Sequence, residues 1–383
     1  MNTRMIFIAI LLLAVFFRFW QIGSVPPGLY PDEAMNGTNA LQALESRNFL
    51  PYYIDNNGRE GLFINLQALA ILFFGSEARV LRIVSALFGM IAVMGIYLLT
   101  KELFYEKNSQ FSILNFQFWK LNTWKFNENW KLEIGNFRSE IIALLSAFFL
   151  ATNYWHITLS RIGFRAITTP TFSILAFYFL FRGMRRNSMV DFALSGVMLG
   201  LGLNGYIAFR FLPFAFAVPV LIGLWRWWKS RPVYPQNDSS SSAVCFPCAV
   251  VLIGIFVVAA CTPLIMYFAE HPEDFATRTG QVSVFADEQP LRAFAVSNIK
   301  TAGMLTVFGD CNSRHNFPCL PVLHPLVAIA FLYGLFLMLK KPNSLVPATL
   351  LAWLLFLSLP ATLTREGMPH ALRSIGMIPP VMI

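Results

Sequence analysis

Asp32 and Glu33 stand side by side after Pro31, and Glu60 closes the run Gly58-Arg59-Glu60. With Glu45 and Asp55, they place five carboxylates in the stretch from Pro26 to Gly61, out of only 20 acidic residues in the chain. A carboxylate in such a place can take a proton from a hydroxyl nucleophile, and a second can hold a cation or a sugar hydroxyl. The same residues also suit helix N-termini, where an acidic first turn meets the positive end of the dipole.

A second set of chemistry-bearing residues is cationic. His156, Arg161 and Arg165 lie in WHITLSRIGFR, with the two arginines four positions apart and therefore on one face if a helix continues. A pair of guanidiniums in a fork suits a phosphate, although arginines at span ends also serve as snorkelling anchors. His271, Arg278, Arg314, His315, His370 and Arg373 add further cations. Taken together, cations facing a carboxylate pair predict an anionic substrate whose charge is held while a hydroxyl is activated.

The elements that must position these groups are membrane spans. The 383 residues are 56% hydrophobic and only 13% charged, with 38 Phe and 9 Trp, and the mean hydropathy is +0.57. A soluble domain carries roughly twice that charged fraction, so the composition predicts a polytopic membrane protein. The net charge of +9 does not point to nucleic acid. Its Lys and Arg gather in short clusters beside apolar runs, RGMRRN at 182–187 and KSR at 229–231, the pattern of cytoplasmic anchoring. Five cysteines make no metal framework. Cys245 and Cys248 form a CxxC with no second pair, and Cys311 and Cys319 share a polar loop that would permit a disulfide if it is extracytoplasmic.

Apolar runs at 5–22, 80–104, 141–159, 167–184, 190–204, 211–228, 247–268, 323–339 and 344–360, with another beginning at 371, predict about 9 to 10 crossings. The first reads as an uncleaved anchor with a cytoplasmic N-terminus. Residues 32–47 have helix character, 291–307 read as an interfacial helix, and 62–75 are too short to cross comfortably and read as a helix at the outer surface. Parity depends on that last assignment. With 62–75 outside the membrane, the basic clusters fall in the cytoplasm and the acidic and His/Arg motifs share the extracytoplasmic face. Residues 105–140 alternate aromatic, Asn and Lys without a lasting period and read as a cytoplasmic low-complexity insertion. The fold class is thus all-α: a single transmembrane module over 1–383, C-terminally incomplete because the last apolar run stops short, with interfacial helices in the first outer loop.

The motifs PPGLYPDEAMNG, GREGLFIN, WHITLSRIGFRA, GDCNSRHNFP and MPHALRSIG together resemble the GT-C superfamily of lipid-linked-sugar glycosyltransferases, and most nearly the bacterial relatives of protein O-mannosyltransferases and aminoarabinose transferases. The resemblance spans nearly the whole chain except 105–140 and the linker near 236–243. It implies a transferase that moves a hexosyl or pentosyl unit from a polyprenyl-phosphate donor to a hydroxyl of a lipid, glycan or protein, usually with inversion, on the extracytoplasmic face of the cytoplasmic membrane. By motif, Asp32 is the candidate base and Glu33 a support for the acceptor. Glu60 matches a second acidic position that binds a divalent metal in some members; no other cofactor is implied. Arg161 and Arg165 would neutralise the lipid phosphate, with Arg314, His370 and Arg373 completing that pocket. The competing reading is a transporter or flippase for an amphipathic anion, which should instead place its ionisable groups near the membrane midplane.

Overall fold

The computed structural model describes residues 3–105, 128–229, 245–275, 283–364 and 367–383. Helix α1 (Thr3–Phe19) leads into the first polar loop, which holds α2 (Pro31–Ser46), a two-stranded hairpin of β1 (Tyr52–Tyr53) and β2 (Arg59–Glu60), and α3 (Leu62–Phe74). There follow α4 (Ala78–Leu103), α5 (Glu128–Thr152), α6 (Tyr154–Arg161), α7 (Thr168–Arg186), α8 (Met189–Leu203) and α9 (Leu212–Lys229). The chain continues through α10 (Phe246–Glu270), α11 (Pro290–Thr306), α12 (Pro325–Lys340), α13 (Leu345–Thr362) and α14 (Ile378–Met382). Among the described residues the hairpin is the only sheet. This is the expected all-α, multi-pass membrane architecture.

Among the described residues, four helical stretches are long and apolar enough to cross a membrane: 78–103, 207–229, 246–270 and 345–362. The other segments expected to cross are also helical but shorter or less apolar, and the run from 371 holds only a single 3-10 turn and the short α14. Helix α3 is an apolar helix of 13 residues, well below the ~20 needed for a crossing. Residues 106–127 of the segment read as an insertion lie outside the described residues, while its end, from Glu128, is already helix continuous with α5.

The span expected at 141–159 is broken. Helices α5 and α6 meet at a 55° bend, because Asn153 caps α6, accepting from the His156 N–H at 3.1 Å while its own amide donates to the Val322 carbonyl at 3.1 Å. A break of this kind leaves the last carbonyls of α5 without helical partners. Arg18, fully buried at the end of α1, donates to Ala151 O at 3.1 Å, Leu150 O at 3.2 Å and His156 Nδ1 at 2.8 Å. The oddly placed arginine in the first apolar helix therefore caps a neighbouring helix.

Small residues let two other helices approach. At Gly196 and Gly200 of α8, an added Cβ would come within 2.5 Å of Ile253 O and 2.6 Å of Ala260 Cβ in α10, the small-xxx-small packing that membrane helices favour. Buried tryptophans then anchor the last loop: Trp155 of α6 donates to Ala371 O at 2.9 Å and Trp353 of α13 to Gly376 O at 3.1 Å. These bonds hold the backbone on either side of Leu372 and Arg373 in place.

Candidate active site

Four loops converge on one cavity of about 300 Å³. Its single carboxylate among the described residues is Asp32, in the first turn of α2. Its guanidinium groups are Arg59 of β2, Arg165 of the 3-10 turn after α6, Arg314 of the 309–320 loop and Arg373 of the last loop, where His370 also lies. Phe164 and Tyr206 complete the wall beneath the arginines, with Arg314 over the Phe164 ring at 5.8 Å and Arg165 over Tyr206 at 5.5 Å. Each aromatic face supports its cation where water is partly excluded.

Asp32 is about one-third exposed. It accepts from Arg314 at 2.9 Å and from the Asn56 amide at 2.6 Å. Asn56 sits in the hairpin turn with φ +53°, a conformation that asparagine tolerates. On α2, Asp32, Asn36 and Asn39 recur at four and three positions and so share a face. Asn36 and Asn39 accept from Arg59, the former at 2.5 Å, so Arg59 is held between α2 and the hairpin. The amide of Asn36 also donates to Gly163 O at 2.9 Å, tying the first loop to the segment that carries Arg165.

Glu33 does not reach the cavity. It is fully buried, paired with Arg82 at 3.0 Å, and accepts from the backbone N–H of Gly163 at 2.7 Å and of Tyr30 at 3.0 Å. Arg82 further donates to the carbonyls of Ile22, Pro26 and Gly28, so this pair staples the loop around α2. Arg161 also points elsewhere: it donates to Phe17 O and Trp20 O at 2.7 Å and to Val25 O at 2.9 Å, closing the end of α1. The helix stops at Arg161 and Ile162 is extended, so Arg161 and Arg165 do not form the fork that continued helix would have made.

Glu60 lies one layer behind the cavity. Its two oxygens face Arg165 at 2.8 Å and Arg210 at 3.4 Å. A metal at Glu60 does not fit: both oxygens already serve guanidinium groups, which repel a dication, and Glu60 instead orients Arg165.

The 309–320 loop is closed by a disulfide between Cys311 and Cys319, and a second disulfide joins Cys245 and Cys248 at the start of α10. Inside the first of these loops, Asp310 accepts from the backbone N–H groups of Asn312 and Ala371, each at 2.8 Å. Burial works to raise its pKa, but the His315 contact and those two amides hold the carboxyl below its usual range. His370 is pushed well below the usual imidazole range by burial and by the neighbouring Arg373 guanidinium. The two rings, His315 and His370, stack with centroids 4.7 Å apart.

Of the sequence candidates, the fold brings Asp32, Arg165, Arg314, His370 and Arg373 to one cavity and places Glu60 directly behind it. Sequence reasoning missed Arg59, Asn36, Asn56, Phe164, Tyr206 and Arg210. The α2 spacing held a signal for Asn36, but nothing local marks Tyr206 or Arg210, which arrive through long-range packing.

A sequence model of the family described as dolichyl-phosphate-mannose-protein mannosyltransferase matches residues 134–253. No curated protein matches the chain. Among solved structures, ArnT from Cupriavidus metallidurans bound to undecaprenyl phosphate is similar with a TM-score of 0.58 at 12% identity, over 99% of this chain and 58% of that one. The Archaeoglobus fulgidus oligosaccharyltransferase tethered with an acceptor peptide gives 0.51 at 15% identity, over 99% and 48%. The same archaeal enzyme, AglB, in complex with an inhibitory peptide and a dolichol-phosphate gives 0.50 at 14% identity, over 99% and 50%. The chain thus spans about half the length of these structures. Its fold is the one shared with these solved structures, and the resemblance read from its motifs is borne out by these matches.

Proposed function

We propose that the protein transfers a sugar from a polyprenyl-phosphate donor to an acceptor hydroxyl at the extracytoplasmic face of the cytoplasmic membrane. The observation that carries this reading is the cavity itself, with one partly exposed carboxylate, Asp32, facing Arg59, Arg165, Arg314 and Arg373. Two of the similar structures hold a polyprenyl phosphate, and a guanidinium-lined wall is suited to that group. A second cavity of about 340 Å³, lined by Leu305, Phe331, Leu335, Leu354 and Met377 between α11, α12 and α13, offers an apolar place for the prenyl chain.

The chemistry divides between the two charge types. Asp32 accepts the proton of the acceptor hydroxyl as its oxygen attacks the anomeric carbon. The bond from that carbon to the phosphate oxygen breaks, its electron pair leaves with the lipid phosphate, and attack from the opposite face inverts the centre. A phosphate leaving as a dianion needs charge stabilisation more than a proton, and preorganised guanidiniums supply it. Arg314 links the two halves. It pairs with Asp32 in the structure, and a bound phosphate competes for it, which returns Asp32 to the hydroxyl as a free base.

Purified protein in lipid, given a polyprenyl-monophosphate sugar and candidate hydroxyl acceptors, should release lipid phosphate. Asp32→Asn should lower turnover by about 10² to 10⁴ while retaining lipid phosphate binding, and Arg314→Ala should weaken both. Turnover that persists in both variants would sink this assignment.

A further inference from the structure

The loop that carries Arg314 meets the last loop at a cluster that the transfer reaction leaves unexplained. Asp310, His315 and His370 each offer a ligand atom, and these atoms all lie within 4.8 Å of one another. Asp310 and His315 are buried, at 4% and 0% exposure. His315 Nδ1 has no hydrogen-bond partner. It stands 3.4 Å from Asp310 Oδ2, too long and too poorly aimed for the bond that a buried imidazole N–H would normally make.

We propose that Asp310, His315 and His370 hold one divalent transition-metal ion of the zinc class, which clamps the 309–320 loop to the last loop beside the cavity. The spacing is compatible with a shared ion. Two ligands about 2.1 Å from a tetrahedral ion lie roughly 3.4 Å apart, and two imidazoles on one ion place their centroids roughly 5 Å apart. The Asp310 to His315 distance of 3.4 Å and the ring separation of 4.7 Å fall at those values. Two imidazole nitrogens and one carboxylate favour zinc over magnesium or calcium, which prefer all-oxygen sets. The outer contacts are those of a built site, since the Asn312 and Ala371 N–H groups orient the Asp310 carboxylate.

The ion also bears on Arg314, which now donates to His315 Nε2 at 3.1 Å. With Nδ1 on the ion, the imidazole proton sits on Nε2, so Arg314 loses that acceptor and keeps only Asp32 or a phosphate. This consequence rests on the transferase reading; metal binding itself does not.

The test uses the full chain in detergent after chelation. Cobalt should bind at one equivalent with a visible absorption band, and zinc should raise the unfolding temperature in a saturable way. His315→Gln and His370→Gln should each lose the cobalt band and the zinc shift, while Asp32→Asn should keep both. Absence of a band and a shift in the unaltered protein, or their persistence in both histidine variants, would overturn the proposal. A protein that binds cobalt in this way yet turns over no donor would instead overturn the transferase reading alone.

Discussion

At the scale of the residue, position in the hydrogen-bond network separates carboxylates and arginines that look alike in sequence. Asp32 and Glu33 are adjacent, yet one is partly exposed in the cavity and the other is sealed against Arg82. Replacing Asp32 with Asn should lower turnover by about 10² to 10⁴, the range of a lost general base, as read by lipid phosphate release. Glu33→Ala should cost about 3–5 kcal/mol, because it leaves Arg82 buried and unpaired; thermal unfolding in detergent should show that loss. The two arginines of WHITLSRIGFR should divide in the same way. Arg161→Ala, which strips three carbonyls of a charged donor, should lower the unfolding temperature. Arg165→Ala should raise the donor KM, and the contrast is read by measuring both quantities for both variants.

At the scale of the element, the site depends on breaks more than on regular helices. The cap at Asn153 turns α6 by 55° and delivers Arg165 to the cavity. Removing it with Asn153→Ala should destabilise the protein by about 1 kcal/mol for the cap alone and reduce turnover as well, since the Val322 contact goes with it. The 309–320 loop is held by its disulfide rather than by regular structure. Cys311→Ser should free a loop whose closure is worth about 2–4 kcal/mol. Limited proteolysis should then cut between 311 and 319 in the variant and spare the oxidised protein. These features were only partly legible in the sequence: the paired cysteines were visible, but a break inside an apolar run was not, because hydropathy reports burial and carries no record of which carbonyls lose their partners.

At the scale of the molecule, the chain separates its charges between two ends. Basic residues close α7 and α9, while the cavity is built from loops at α2, α6, α11 and the last segment. If those ends face opposite sides, a cysteine introduced at Asn187 and another at Asn56 should react with an impermeant thiol reagent from opposite sides of sealed cells or vesicles. Labelling of both from one side would reverse the parity argument.

Composition and charge clustering alone determined that this is a multi-pass helical membrane protein, and its motifs carried the resemblance to GT-C transferases. Apolar periodicity and charge clustering are local properties that survive without the fold. Which acid stands in the cavity was decided only in three dimensions. Glu33 is neutralised by Arg82 and by the Gly163 amide, 49 and 130 positions away, and Asp32 by Arg314 at a separation of 282. Contacts at such separations come from packing between helices, so no reading of local sequence could have distributed the roles among them.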